Sequence, residues 1–128
     1  MNKCILDASA LLALINDEPG AEMVQKVLSH SLMSSVNASE VISLLYYELN
    51  IDPDEGQEMV HTLVSEVVSF TLDMAKKTAG LRKKTALLGL SLGDRACIAL
   101  GLDLSLPVYT ADRIWKKHHL GCDIVLIR

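Results

Sequence analysis

Residues 3–15 read Lys-Cys-Ile-Leu-Asp-Ala-Ser-Ala-Leu-Leu-Ala-Leu-Ile. Lys3–Asp7 has the short apolar run of a buried strand and closes on a carboxylate; the residues after it continue as a helix through Asn16. That order of strand, acid, helix recurs along the chain. A turn at Asp17–Gly20 leads into a helix over 21–30 and a short strand at 32–35. Asn37–Asn50 reads as helix, Pro53 opens another to about Glu66, and Val67–Phe70 is strand-like. A helix is expected over 72–87, and Ala96–Leu102 is apolar all round, as for a helix buried in a core. Pro107–Tyr109 and Ile124–Ile127 are the last strands, with a short helix at 113–118 between them. Strands separated by helices predict an α/β chain: a parallel sheet with helices on both faces. No repeat, low-complexity tract or linker interrupts the pattern, so one domain is expected over 1–128.

The composition narrows the functional classes. Half of the 128 residues are hydrophobic, which excludes an intrinsically disordered chain. Aromatics are only 4%, so the core must come from Leu, Val, Ile and Ala. The longest apolar stretch, Ala10–Ile15, is far short of the ~18 residues of a membrane span. No basic leader and apolar core precede Asp7, so no signal peptide is expected. Three cysteines (Cys4, Cys97, Cys122) without a C-x-x-C pair point to reduced thiols and a cytoplasmic protein. The net charge of −4 conceals an asymmetry: residues 1–66 carry −9 and residues 67–128 carry +5. Eight of the twelve basic side chains fall within 76–84 and 113–117.

Four acids share one context, after a strand or at a helix start: Asp7 in L-D-A-S, Glu40 in N-A-S-E, Asp94 in S-L-G-D and Asp112 in T-A-D. Singly, each reads as a helix cap, and N-x-x-E and S-x-x-D are capping-box patterns. Jointly they say more, because the carboxyl ends of parallel strands share one edge and ligands bind there at the switch point of the sheet. Two carboxylates ~6 Å apart repel by about 3 kcal/mol at an effective dielectric of ~20. A cluster of four therefore calls for protonation, positive helix ends or a bound cation. Carboxylate oxygens suit hard divalent ions such as Mg²⁺ or Mn²⁺. His118, His119 and Cys122 lie in one short segment without a second ligand segment, which argues against zinc. There is no G-x-x-x-x-G-K-[ST] or G-x-G-x-x-G loop, and no Ser/His or Cys/His nucleophile in a supporting context.

The opening I-L-D-A-S-A-L-L-A-L-I, the segment S-S-V-N-A-S-E-V, and G-L-S-L-G-D-R-A-C-I-A-L followed by L-P-V-Y-T-A-D-R-I-W resemble, in order and spacing, the PIN-domain family. The likeness is specifically to the VapC-type toxins of toxin–antitoxin pairs, and it covers nearly the whole chain. It implies a three-layer α/β/α fold with a short central sheet, and a metal-dependent endoribonuclease. Asp7, Glu40, Asp94 and Asp112 would hold one or two Mg²⁺ or Mn²⁺ ions. Ser9 and Thr110 fall on the family's hydroxyl positions and would support them. A small antitoxin partner in the active-site groove and a homodimer are further implications. Leu11, Leu12, Ile15, Leu44, Leu45, Tyr46 and Tyr47 offer apolar surface for such contacts.

An acidic site repels RNA, so cations elsewhere must attract the phosphate backbone. The candidates are Arg82, Lys83 and Lys84, with Lys76 and Lys77 in the same segment, and Arg113, Lys116 and Lys117. Arg95, next to Asp94, is either an RNA contact or a structural partner of an acid. Trp115 could stack a base or pack in the core. Two rival readings remain: a non-catalytic PIN-like module that binds RNA or protein, and a receiver-type signalling domain. The second needs paired acids at the first strand and a Lys after the last; Cys4–Asp7 has one acid and Ile124–Arg128 has no Lys.

Overall fold

The computed structural model describes residues 2–128. Five strands, β1 (Cys4–Leu6), β2 (Ser31–Ser34), β3 (Glu66–Val68), β4 (Val108–Thr110) and β5 (Ile124–Leu126), form one sheet in the order β3-β2-β1-β4-β5. Every neighbouring pair is parallel. Six helices connect or flank them: α1 (Ala8–Ile15), α2 (Ala21–Val27), α3 (Ser35–Leu49), α4 (Pro53–Leu63), α5 (Leu72–Gly80) and α6 (Leu92–Leu104). The expected α/β architecture, a PIN-like parallel sheet between helical layers, is the one observed.

The alternation of side chains along a strand sorts the core into two halves. Cys4 and Leu6 point to the face covered by α1, α3 and α4, where Leu11, Val41, Leu45 and Val60 are buried. Ile5 points to the opposite face and packs with Ile98 of α6, Val108 and Trp115. Trp115 is fully buried, so of its two readings the core is the one realised. Leu11 and Leu45 are likewise core, whereas Leu44, Tyr46 and Tyr47 stay exposed on α3. The cysteines are all free, and burial pushes the Cys4 thiol up to about 11.

The apolar run in α6 is buried from Arg95 through Gly101. Gly101 is needed there because a Cβ would stand 2.5 Å from a Val108 methyl, so this helix lies directly on β4. Several bounds differ from expectation, among them β2 at Ser31–Ser34, α2 ending at Val27 and α3 starting at Ser35; two of the differences have a clear cause. The helix from Pro53 stops at Leu63 because Glu66–Val68 is drawn into the ladder with Leu32–Ser34 of β2. The helix expected over 72–87 ends at Gly80, the costliest residue for a helix interior bar proline. Beyond it, turns and a short 3-10 segment (Ala86–Leu88) bury Leu81 and Thr85, with the Thr85 hydroxyl donating to the Leu81 carbonyl.

In this strand order the chain leaves β1 toward β2 on one side and reaches β4 on the other. The switch point therefore lies between the carboxyl ends of β1 and β4, just before Asp7 and Asp112.

Candidate metal centre at the carboxyl edge of the sheet

Asp7 follows β1 directly and caps α1, its Oδ1 accepting the Ala10 amide at 2.8 Å. The Ser9 hydroxyl donates to the same carboxylate at 2.7 and 2.9 Å, and Thr110 at the end of β4 donates to Oδ2 at 2.5 Å. Those hydroxyls are themselves held, since the Ala111 amide donates to Ser9 Oγ and the Asp112 amide to Thr110 Oγ1, each at 3.0 Å. Ser9 and Thr110 thus both reach Asp7 across the β1–β4 junction. Only 5% of Asp7 is exposed. Burial raises its pKa to about 6; the hydrogen bonds from Thr110, Ser9 and Ala10 oppose the rise, and the nearby Asp94 charge adds to it.

Asp112 caps the 3-10 turn Arg113–Lys117 through the Ile114 amide at 3.0 Å and is exposed. Asp94, in the first turn of α6, forms a capping box with Ser91: the Asp94 amide donates to Ser91 Oγ at 3.1 Å, and the Ser91 amide to Asp94 Oδ2 at 3.0 Å. The capping readings of these acids are therefore realised. They do not exclude the joint one, because Asp7, Glu40, Asp94 and Asp112 all line a single cleft of about 230 Å³, walled on one side by Leu12 and Leu44.

Two residues in this cleft were not singled out from sequence. Asn37 is buried in α3, and its Nδ2 donates to Glu40 Oε1 at 2.7 Å and to the Gly93 carbonyl at 3.1 Å. Gly93 is the second: a Cβ there would stand 2.3 Å from Glu40 Oε2. The Glu40 carboxylate is thus pressed onto the first turn of α6, beside Asp94. The N-x-x-E spacing in N-A-S-E signals the Asn37–Glu40 contact, but it looks like a cap because the helix start could not be fixed to Ser35. Nothing local in the sequence signals Gly93.

A hard divalent cation fits this donor set. The cleft supplies carboxylate oxygens from separate elements, and the buried Asn37 Oδ1 beside them has no hydrogen-bond partner. The acids are not drawn into a finished cage, however: among the described residues no three acidic, His or Cys side chains are grouped as a ready metal site. Mutual repulsion and the capping bonds of Asp94 and Asp112 keep them apart while sharing one cleft. Larger hollows lie elsewhere, one of about 510 Å³ along Trp115–Ile124. The smaller cleft is the one that gathers carboxylates from four separate elements.

The basic candidates divide into three kinds. Lys77 is paired with Asp73 and Asp103 and Lys76 lies 3.9 Å from Asp73, so this pair is tied to the protein's own acids. Arg82, Lys83 and Lys84 are exposed in the turns after α5, and Arg113, Lys116 and Lys117 are exposed after Asp112. Lys84 Nζ would lie 4.0 Å from a Cβ placed on Gly121, a few residues beyond the second basic segment. Arg95 is the exception to a surface role: it is only 8% exposed, with Nη1 donating to the Thr78 carbonyl at 3.5 Å rather than pairing with an acid.

The structure is similar to several solved ones. One is a DNA-bound VapBC from Salmonella typhimurium, 21% identical over the whole of both chains with a TM-score of 0.74. Another is a toxin–antitoxin complex from Klebsiella pneumoniae, 16% identical over 98% of each chain with a TM-score of 0.75. A third is VapBC-5 from Mycobacterium tuberculosis, 20% identical over 100% of this chain and 99% of that one, with a TM-score of 0.62. At such identities the likeness is one of fold. No curated protein sequence matches the chain. The sequence model of the PIN domain matches residues 4–119, from the start of β1 past the last of the four acids. With that match running through every strand and helix that builds the cleft except β5, the chain belongs to the PIN domain family.

Proposed function

We propose that this protein is a Mg²⁺- or Mn²⁺-dependent endoribonuclease and the toxin of a type II toxin–antitoxin pair. The observation that carries the reading is the convergence of Asp7, Glu40, Asp94 and Asp112 on one cleft at the switch point of the sheet. These four would hold the metal. A divalent ion bound there supplies an activated water and neutralises charge on the phosphate.

The remaining steps belong to the protein. Ser9, Thr110 and the Ala10 amide hold the Asp7 carboxylate in one orientation, so it meets a cation without rotamer search. Asn37 seats Glu40 against α6, at a fixed separation from Asp94. Leu12 and Leu44 give one wall of the cleft an apolar surface. Arg82, Lys83, Lys84, Arg113 and Lys116 supply the positive field an RNA backbone needs beside an acidic site. The similar VapBC and toxin–antitoxin complexes support a small cognate antitoxin as partner and an oligomeric assembly, read here as a homodimer. A cytoplasmic location goes with this reading; among the described residues no helix is long and apolar enough to cross a membrane.

The test is RNA cleavage by the purified protein with Mg²⁺ or Mn²⁺, stopped by EDTA and abolished by Asp94→Asn. Cleavage that survives both would mean a different mechanism or a contaminant. The engagement of Asp94 and Asp112 as caps favours a second reading, a PIN-like module that binds RNA or protein without cutting it. RNA binding without cleavage in Mn²⁺ is its signature.

A further inference from the structure

Arg95 is a charge without a counter-charge. It is 8% exposed, and none of the ion pairs among the described residues includes it. Its one hydrogen bond, to Thr78 in the last turn of α5, is at the outer limit of length at 3.5 Å. A guanidinium presents five donors in a planar fork, so most of its capacity is unused. Its remaining nitrogens are not among the fully buried unpartnered atoms, so they are open to an anion in the space beside them.

Where that anion would sit is visible. Arg95 opens on a hollow of about 260 Å³ whose wall also includes Arg82, Thr85 and Gly89. No acid lines it. Arg82 is exposed and likewise free of ion pairs among the described residues, so two guanidinium groups border one cavity. The Thr85 hydroxyl is spent on the Leu81 carbonyl, and a Cβ at Gly89 would meet nothing within 4 Å, which leaves the entrance open. Two guanidinium forks with no competing carboxylate select an oxyanion, and their planar geometry matches phosphate.

We infer that Arg95 and Arg82 form a phosphate seat for the RNA strand, separate from the acid cleft and on the other side of the first turn of α6. The strand is the preferred source of that phosphate because Arg95 directly follows Asp94 in one rigid helix. A backbone crossing this turn presents one phosphate to the acids and a neighbouring one to the arginines. The seat thereby sets the register of the strand over the cleft. The identity of the anion rests on the nuclease reading; the unpaired guanidinium and the hollow do not.

The test uses the full chain as wild type, Arg82→Ala and Arg95→Met, the last keeping the apolar stem but losing both the charge and the fork. Thermal midpoints are measured with and without inorganic phosphate. Binding of a labelled mixed-sequence single-stranded RNA is followed in EDTA over a range of salt. Phosphate should raise the midpoint of wild type and do so less in both variants. Each variant should flatten the slope of log affinity against log salt by ~0.7, the loss of one phosphate contact on a single strand. Equal phosphate shifts in all three proteins overturn the seat and leave Arg95 as a partner of the α5 carboxyl end. A smaller phosphate shift with an unchanged RNA slope overturns the strand as ligand in favour of free phosphate. Flattened slopes in a protein that never cleaves RNA uphold the seat while the nuclease reading fails. Cleavage with wild-type slopes in both variants does the reverse.

Discussion

The carboxylate of Glu40 rests on the bare Cα of Gly93, so closely that a methyl group there would stand 2.3 Å from Oε2. The contact ties α3 to α6 at the one place where both contribute an acid to the cleft. Gly93→Ala should therefore push Glu40 out of position. We expect a stability loss of about 1–3 kcal/mol, with a weakened Mn²⁺ affinity by calorimetry. A variant that binds Mn²⁺ as wild type would remove Glu40 from the metal set.

Asn37 should act through Glu40. Asn37→Ala leaves Glu40 and the Gly93 carbonyl without their shared donor, at a cost of about 1–3 kcal/mol for the buried groups. Asn37→Asp replaces that donor by a further negative charge. It should destabilise the metal-free protein more than Asn37→Ala does, and regain more on adding Mn²⁺. Parallel denaturation curves with EDTA and with Mn²⁺ read both effects.

The raised pKa of Asp7, about 6 against the ordinary 3.8, has a definite sign. The folded state holds the Asp7 proton more tightly than the unfolded chain does. Stability from this group is thus present below about pH 4 and is lost as pH rises through about 6, by about 3 kcal/mol in all. Asp7→Asn should abolish that fall, raise metal-free stability at pH 7 by ~1–3 kcal/mol and shrink the gain from Mn²⁺. At a hundredfold excess over the dissociation constant that gain is about 2.7 kcal/mol in wild type. Asparagine caps a helix about as well as aspartate, so capping alone predicts none of these changes. Equal Mn²⁺ shifts in wild type, Asp7→Asn and Asp112→Asn would exclude a metal site at these positions.

Lys84→Glu and Lys116→Glu, both exposed and one in each basic segment, should each weaken RNA binding and flatten its salt dependence. Lys76→Glu should alter the slope less, since Asp73 already lies beside that ammonium group. A larger effect at Lys76 would move the RNA path to the outer face of α5.

The parallel sheet, Asp7 and Asp112 were legible because they depend on local order: an apolar run, then a carboxylate, then a helical turn; Glu40 lies inside α3 and Asp94 inside the first turn of α6, so only their motifs marked them. Ser9 and Thr110 were marked by the family resemblance, as hydroxyls two residues from Asp7 and Asp112 along the chain. Arg95 was marked by its place beside Asp94, but its burial against α5 was not legible, because it depends on how α6 packs on that helix. The early end of α5 was hidden too. Helical spacing continues past Gly80, and only the burial of Leu81 and Thr85 breaks it. Gly93 was invisible because its reason is a side chain 53 positions earlier, a contact that only the packing of α3 on α6 creates.

The latch from Thr110 to Asp7 joins residues 103 positions apart. A chain emerging from the ribosome thus displays Asp7, Glu40 and Asp94 while the cleft still lacks its closing wall, since neither Thr110 nor Asp112 has been made. Only when β4 docks beside β1 do Asp7 and Asp112 come to opposite sides of one junction. Whatever this cleft does, the nascent polypeptide cannot do it until Thr110 and Asp112 have been made and β4 has docked beside β1. Under the proposed ribonuclease reading, that delay separates the synthesis of the first three acids from any activity against RNA.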